Sequence, residues 1–514
     1  MRKQTKIAAV VSAAALLALG ASITSFAAAK GTWMMVDGEW YCYDKNGDVY
    51  ENTFCSSNGK EYYVGDDGQL VRSDWVEYDG DYYFVNSAGA KIINDWRLTT
   101  PYDDESADEE WYYFQSTGKM ATNKKIVYKG KTFYFDSEGQ MLTGWVTADG
   151  TNNVDEANSF DKDTTYYCDE TGARLEKAWV IATEPGTEDD DADADEYYYY
   201  FKSSGKAATG KQNNIKGQTY LFDEDGRMLS GWVAQFATGS DAKVYYEEID
   251  DEDSTLALSN SSINAAYYCG GEDDGHVKKY KWMKLWRPVD TYEEDEDNDK
   301  YWYWIDKNGE VFVPSAEDKD ATGTKYKLEE GAFAEKTAGI NITKKKVNSK
   351  DYFFNQNGEM LSQFINVETV ATDSDALKLG MYYFGGDDDG SMKTGSQSIK
   401  DDVDDTYKFY FGTKNSGSEA KGVGIVGNKS NKLYNYGMLI TADDYKYEVA
   451  EVNGYYFIIN KNGSIQHSNV EYKEDGDVLI DAEKYEYEKD GQYKYAIKGY
   501  TGSVTINGND LGVN

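Results

Sequence analysis

The sequence predicts an all-β fold: an elongated solenoid, or superhelix, of β-hairpin repeats with about three hairpins per turn. Three observations predict it. The first is a recurring phrase. GKTFYFDSEGQMLTGW at 130–145 returns as GQTYLFDEDGRMLSGW at 217–232 and, more loosely, as SKDYFFNQNGEMLSQF at 349–364. The second is a comb of glycines, in which the steps 47 to 68, 68 to 89, 118 to 139 and 205 to 226 are all 21 residues. The third is composition: 46 Tyr, 19 Phe and 12 Trp among 514 residues, against only 4 Pro. Disordered acidic chains are poor in aromatics, so this one folds despite its charge. Aromatic runs bounded by Gly, Asn and Asp read as strands.

Along the chain, the first element is residues 1–29. A basic start, an apolar run and a small-residue end are the pattern of a secretory signal peptide, cleaved after Ala27 or Ala29. No second run of about 20 apolar residues follows, so no membrane-spanning helix is expected. Residues 30–514 read as an array of about 16 hairpin units. Their markers are Gly47, Gly68, Gly89, Gly118, Gly139, Gly172, Gly205 and Gly226, continued less regularly by Gly275, Gly309, Gly358, Gly390, Gly417, Gly437, Gly463 and Gly491.

Within TFYFDSEGQML, Phe133 and Phe135 fall on one face and Tyr134 on the other, by the strand period of two. Asp136 to Gly139 supplies a turn, and Met141 and Leu142 begin the return strand. A hairpin alone is marginal, so each must bury its aromatic face on its neighbours, which generates a solenoid. Gly139, Gly172, Gly205 and Gly226 are separated by 33, 33 and 21 residues; Gly68, Gly89, Gly118 and Gly139 by 21, 29 and 21. Units therefore come in threes, with two connectors open to insertion and one short.

The insertions are acidic: 101–110, 184–196, 246–254 and 291–300, with a longer one at about 311–343. The net charge of −39 repels polyanions, which argues against a nucleic-acid partner. Charge runs of this kind read as solvated loops. Weak calcium binding by the acidic inserts is the alternative, although none carries the EF-hand pattern of alternating acids, glycine and a distal Glu.

WYYFQSTGKMAT at 111–122 and FYFDSEGQMLTGW at 133–145 combine an aromatic strand, a turn ending in Gly and a closing Gly-Trp. In this the chain resembles the cell-wall-binding (choline-binding) repeat family, related to the glucan-binding repeats of glucansucrases and the terminal repeats of large clostridial toxins. The resemblance covers roughly residues 33 to 500. It implies a superhelix of hairpins with ligands held between consecutive hairpins, and a cell-wall choline or polysaccharide partner.

A quaternary ammonium is attracted to aromatic faces, and sugars stack on the same rings. In choline-binding relatives the Trp ending one hairpin meets the leading aromatic of the next. Seven residues before the turn glycine, that leading position is Trp40, Trp111, Tyr198 or Trp302. The preceding hairpin ends on Trp96, Trp179 or Trp286 in the last three cases. The expected cages are therefore Trp96 with Trp111 and Tyr113, Trp179 with Tyr198 and Tyr200, and Trp286 with Trp302 and Trp304. An insert-free cage joins Trp75 to Tyr82. Trp145 and Trp232 form poorer junctions, because Thr165 and Ala266 follow them. Acidic inserts within these cages would either roof them or add carboxylates.

Catalytic signatures are missing. There is no nucleophile elbow, HExxH, phosphate loop or Cys-x-x-Cys, and His276 and His467 are far apart. No enzyme activity and no cofactor are expected. Cys168 and Cys269 occupy slots filled elsewhere by Phe135 and Phe114, so they read as buried apolar substitutes. Cys42 and Cys55 are the pair that could form a disulfide in an exported chain. The expectation is a secreted, non-catalytic surface protein binding wall choline or glycans. The alternatives are an adhesin or glucan-binding protein, or a spacer displaying acidic loops.

Overall fold

Two-residue turns decide where the strands of each unit pair. Asp79 and Gly80 have φ of 53° and 75°, and Lys129 and Gly130 have 47° and 80°. They join Asp74–Tyr78 to Asp81–Val85 and Lys124–Tyr128 to Lys131–Phe135 in antiparallel register. Two consecutive left-handed residues make the primed turn whose twist matches that of the strands. The hairpins are thus shifted by half a unit from the sequence expectation. Asp136 to Gly139 is not the hairpin tip but a connector behind the second strand. Its Asp136 Oδ1 accepts the backbone N–H groups of Glu138 and Gln140 at 3.0 and 2.8 Å. Beyond it Met141 makes only a single bridge back to Phe135. The physical reason is local: in that turn Gly139 alone adopts positive φ, so it cannot close a two-residue hairpin.

This computed structural model describes residues 28–514, except 151–152, 188–192, 239–242, 250–255, 289–299, 316, 318, 372–376, 501–503, 507–508 and 512–514. All but the last two residues of the expected signal peptide lie outside this set, as do the centres of the acidic inserts 184–196, 246–254 and 291–300. Every regular element among the described residues is a strand. No helix among them is long and apolar enough to cross a membrane.

The chain divides into two compact units, Met1–Ala208 and Thr209–Asn514. Within the first, five successive hairpins are each stitched to the one before. The second residue after the turn glycine donates its N–H to the leading residue of the hairpin before: Leu70 to Trp40, Lys91 to Glu61, Met120 to Tyr82, Met141 to Trp111 and Arg174 to Thr132, all at 2.8–2.9 Å. The second unit repeats the stitch with Val277 to Thr219, Met360 to Trp302 and Met392 to Asp351 at 2.8–2.9 Å. Gly422 rather than Gly417 closes its unit, since Gly422 packs on Met392 while Gly417 faces open space. Gly491 lies in the connection between Tyr485–Tyr487 and Ile497–Tyr500 rather than behind a hairpin.

Three acidic inserts fall between the two strands of a hairpin, whereas 246–254 begins within the strand Lys243–Glu248, which pairs with Trp232–Thr238. Residues 100–109 join Asp95–Thr99 to Glu110–Phe114, and 183–196 join Ala178–Ala182 to Tyr197–Phe201. In the second unit 286–300 join Lys281–Leu285 to Tyr301–Ile305. Also there, Ala321–Glu329 and Ala332–Val347 form a long hairpin inside a five-stranded sheet. Its strand order is Lys350–Phe354, Ala332–Val347, Ala321–Glu329, Phe364–Val370, Gly380–Tyr383.

All four cysteines are buried and free. Cys42 and Cys55 share one small core cluster with Val64, and their thiols are within hydrogen-bonding reach of each other. Burial pushes both thiols above the ordinary cysteine value.

Candidate ligand-binding site

Each aromatic strand carries a triplet that splits across its two faces. In Glu110–Phe114, Trp111 and Tyr113 share one face and Tyr112 takes the other, as the period of two requires. The first face meets Trp96, whose strand pairs in the register Trp96 with Tyr113 and Leu98 with Trp111. Ring centroids of Trp96 lie 6.4 Å from Trp111, 5.1 Å from Tyr113, 5.8 Å from Tyr128 and 4.9 Å from Phe133. The pairs are edge-on, the arrangement aromatic quadrupoles favour. Trp96, Trp111 and Tyr128 stay part-exposed while Tyr113 and Phe133 are buried. The indole N–H groups of Trp96 and Trp111 make no hydrogen bond among the described residues. Lys129 Nζ lies 4.9 Å over the Tyr128 ring, so this face already attracts a cation.

The opposite face, with Tyr112, packs on the hairpin before. Tyr112 is 0% exposed and sits 4.8 Å from Trp75 at an interplanar angle of 86°. Tyr199 meets Trp145 at 4.8 Å, and Tyr303 meets Trp232 at 5.0 Å. These three Trp residues resemble one another in a second way. Their indole N–H groups donate to the main-chain carbonyls of Thr100 at 2.9 Å, Thr183 at 2.8 Å and Trp286 at 2.8 Å. Each carbonyl opens the tip insert of the next hairpin. At the first site Pro101 is buried, and Tyr102 stacks on Tyr82 at 3.9 Å and 23° while standing 6.0 Å from Trp75. Burial, with Tyr82 and Asp103 nearby, raises the Tyr102 phenol above its ordinary value. The sequence reading set this insert against the Trp96 and Trp111 cage, as a roof or a source of carboxylates; its first residues instead lie against Trp75 and Tyr82 of the hairpin before.

The expected residues are therefore sorted as follows. Trp96, Trp111 and Tyr113 come together. Trp75 and Tyr82 belong to one hairpin, with Trp75 opposite Phe84 and Tyr82 opposite Glu77, rather than facing each other across a junction. Trp179 lies opposite Tyr200 at 5.1 Å, and Tyr198 lies opposite Ile181. The Trp286 assignment is corrected: the strand partner of Trp304 is Trp282, at 5.4 Å, and Trp286 stands four residues further on, at the start of the tip insert. Both tryptophans occur in KWMKLW, and only the pairing register chooses between them. Trp302 donates its indole N–H to Asp388 Oδ1 at 2.9 Å, which also accepts Lys284 Nζ at 2.9 Å.

Sequence reasoning missed Tyr128 and Tyr102, which lie at a hairpin tip and in an insert. It also underrated Trp145 and Trp232, because it searched the Thr165 and Ala266 positions instead of the middle Tyr of the following hairpin. That middle tyrosine, six residues before each turn glycine, was the available signal. Among the described residues no group of three or more His, Cys, Asp or Glu is arranged to hold a metal.

Comparisons with known proteins point to repeats in two parts of the chain. Residues 105–143, which contain Trp111, Tyr113 and Tyr128, match the choline-binding repeat, and residues 345–360 match the cell wall binding repeat. Glucosyltransferase-S of Streptococcus mutans is 26% identical over 249 residues, 43% of this chain and 15% of that protein. Glucosyltransferase-I of Streptococcus downei is 27% identical over 31% of this chain and 9% of its own length. The chain thus spans a small part of these curated relatives. Among solved structures, choline-binding protein F of Streptococcus pneumoniae, in the presence of a peptidoglycan analogue, is 18% identical over 71% of this chain and 99% of that one, with a TM-score of 0.33. The chain carries repeats of the choline-binding, cell-wall-binding family.

Proposed function

We propose that this is a secreted, non-catalytic surface protein that binds cell-wall choline or glycans through aromatic groups of the Trp96 kind. We further propose that its hairpins wind as a superhelix with about three per turn. The observation that carries the binding reading is the part-exposed group of Trp96, Trp111 and Tyr128, of which Trp111 and Tyr128 lie inside the segment that matches the choline-binding repeat and Trp96 lies just before it. Electron-rich ring faces from two consecutive hairpins converge there, and such faces attract a quaternary ammonium and also stack against sugar rings. Support for the superhelix comes from the recurrence of the Trp75, Trp145 and Trp232 environment at every third hairpin. The non-catalytic reading follows from similarity that is confined to repeats, with the glucosyltransferases matched over small fractions of their length. Those same matches favour a second reading, in which the ligand is an external α-glucan.

Retention on a choline-derivatised matrix, eluted with free choline, tests the first reading, and retention on immobilised dextran tests the second. Trp111→Ala is expected to weaken retention on the matching support about tenfold, the loss of one ring from a cation–π or stacking site of about 1–2 kcal/mol. Unchanged retention by a folded Trp111→Ala protein on the support that holds the parent would remove this group from the binding site.

A further inference from the structure

We propose that the first residues of the tip inserts (Thr100 to Tyr102, Thr183 and Trp286) are built-in occupants of the aromatic pockets at Trp75, Trp145 and Trp232, so that ligand is confined to groups whose following hairpin has a two-residue tip. The inference rests on the reading that these aromatic groups bind ligand, and it adds which of them can.

Three independent places carry the same closure. In each, a Trp from one hairpin packs edge-on against the buried middle tyrosine of the next, at 4.8–5.0 Å. In each, the indole N–H is satisfied by a carbonyl four residues past the Trp96 position or its equivalent, Trp179 or Trp282. A ligand replacing that carbonyl must either supply an acceptor or leave a buried donor unpaired, which is costly. At Trp75, a part-exposed ring, further aromatics crowd the indole. Tyr102 covers Tyr82, while Phe84, Tyr112 and Phe114 lie 5.4, 4.8 and 5.7 Å from the indole.

The contrast is Trp96. The hairpin after it turns at Lys129-Gly130, and two residues have no chain to lay back over the preceding hairpin. Its indole N–H is left without a protein partner among the described residues, and its neighbour Trp111 remains part-exposed. Tip length, not the presence of tryptophan, therefore separates a closed group from an open one.

The test uses the full chain labelled with 5-fluorotryptophan, with the Trp75 resonance assigned by its loss in Trp75→Phe. Two variants open the roof: residues 100–109 replaced by Asn-Gly, and the milder Tyr102→Ala, which keeps the loop. Choline and an isomalto-oligosaccharide are the probes. In the parent the Trp75 resonance is expected to stay silent as either probe is added, and in the shortened-tip variant to shift, with one more equivalent bound per chain by equilibrium dialysis. A shift of Trp75 in the parent, or no added equivalent in a folded shortened-tip variant, overturns the proposal. If no protein binds either probe, the functional reading falls, and the closure is judged by the solvent isotope shift of the Trp75 resonance. A larger shift in the opened variants supports the roof, and an unchanged one overturns it.

Discussion

At the scale of single residues, the turn glycine of several units is needed twice over. Its φ is positive, and the space a Cβ would take is filled by atoms of the unit before. A Cβ built on Gly139 would stand 2.6 Å from Met120 Sδ, on Gly172 2.2 Å from Met141 Sδ, and on Gly358 2.4 Å from the Phe312 carbonyl oxygen. Gly130, at a hairpin tip with φ of 80°, meets nothing within 4 Å. Gly130→Ala is therefore expected to cost only the left-handed strain of about 1–2 kcal/mol. Gly358→Ala adds a clash with backbone and is expected to cost clearly more, about 3 kcal/mol or above, in parallel urea melts. Equal losses would mean that the close approach is unimportant. Asp136 offers a second residue-scale outcome. Burial is the main influence on its carboxyl and raises its pKa, against the backbone N–H groups that lower it. A carboxyl with a raised folded pKa binds its proton more tightly when folded, so ionising it weakens folding at neutral pH. That cost disappears as the pH falls below the ordinary Asp value of about 3.9. Asn86, Asn355 and Asn460 make the same pair of bonds through Oδ1 in their own units. Asp136→Asn is thus expected to raise Tm at pH 7 and to lose that advantage below about pH 4; melts across this range check the sign.

At the scale of elements, the length of a hairpin tip decides what lies over the hairpin before it. Two-residue primed turns leave the neighbour open, and inserts of ten residues or more reach back. The hairpin Ala321–Glu329/Ala332–Val347 departs from this rule: its tip is the two residues Glu330 and Gly331, and it covers other hairpins through the length of its strands. Its Phe333 lies 5.0 Å from Phe364 and 6.2 Å from Phe409, over the aromatic surface of later hairpins. Its tip is held by the Glu330 and Gly331 N–H groups donating to Asp402 Oδ1 and Asp401 Oδ2 at 2.8 and 3.0 Å. Phe333→Ala removes a part-buried ring from that cluster and is expected to destabilise locally by about 1–3 kcal/mol. Hydrogen exchange should show lost protection in 321–336 and 395–411, with the hairpins of residues 28–208 unaffected. Protection lost evenly through the chain would contradict a local role.

Across the whole molecule, a net charge of −39 is carried by a chain with 77 aromatic residues, 46 Tyr, 19 Phe and 12 Trp. The repeating unit, its aromatic rungs and its glycines were legible in the amino-acid order because they obey short-range rules: period two for faces, positive φ for turns, and a fixed spacing for stacking. The eleven candidate ligand residues were legible only in part. Trp96, Trp111 and Tyr113 were recoverable because they are cross-strand neighbours at fixed offsets. Trp282 could not be told from Trp286 in KWMKLW, since only the pairing register decides which indole meets Trp304. The half-unit phase of the hairpins was equally hidden, because both Lys129-Gly130 and Asp136 to Gly139 are turn-forming and only one closes a two-residue hairpin. Sequence by itself determined an all-β repeat and the residues that build each rung, through local propensity. Only the tertiary structure decided which tryptophans are covered, because that depends on where the first residues of a tip insert land on the hairpin before it, and composition carries no record of such a contact.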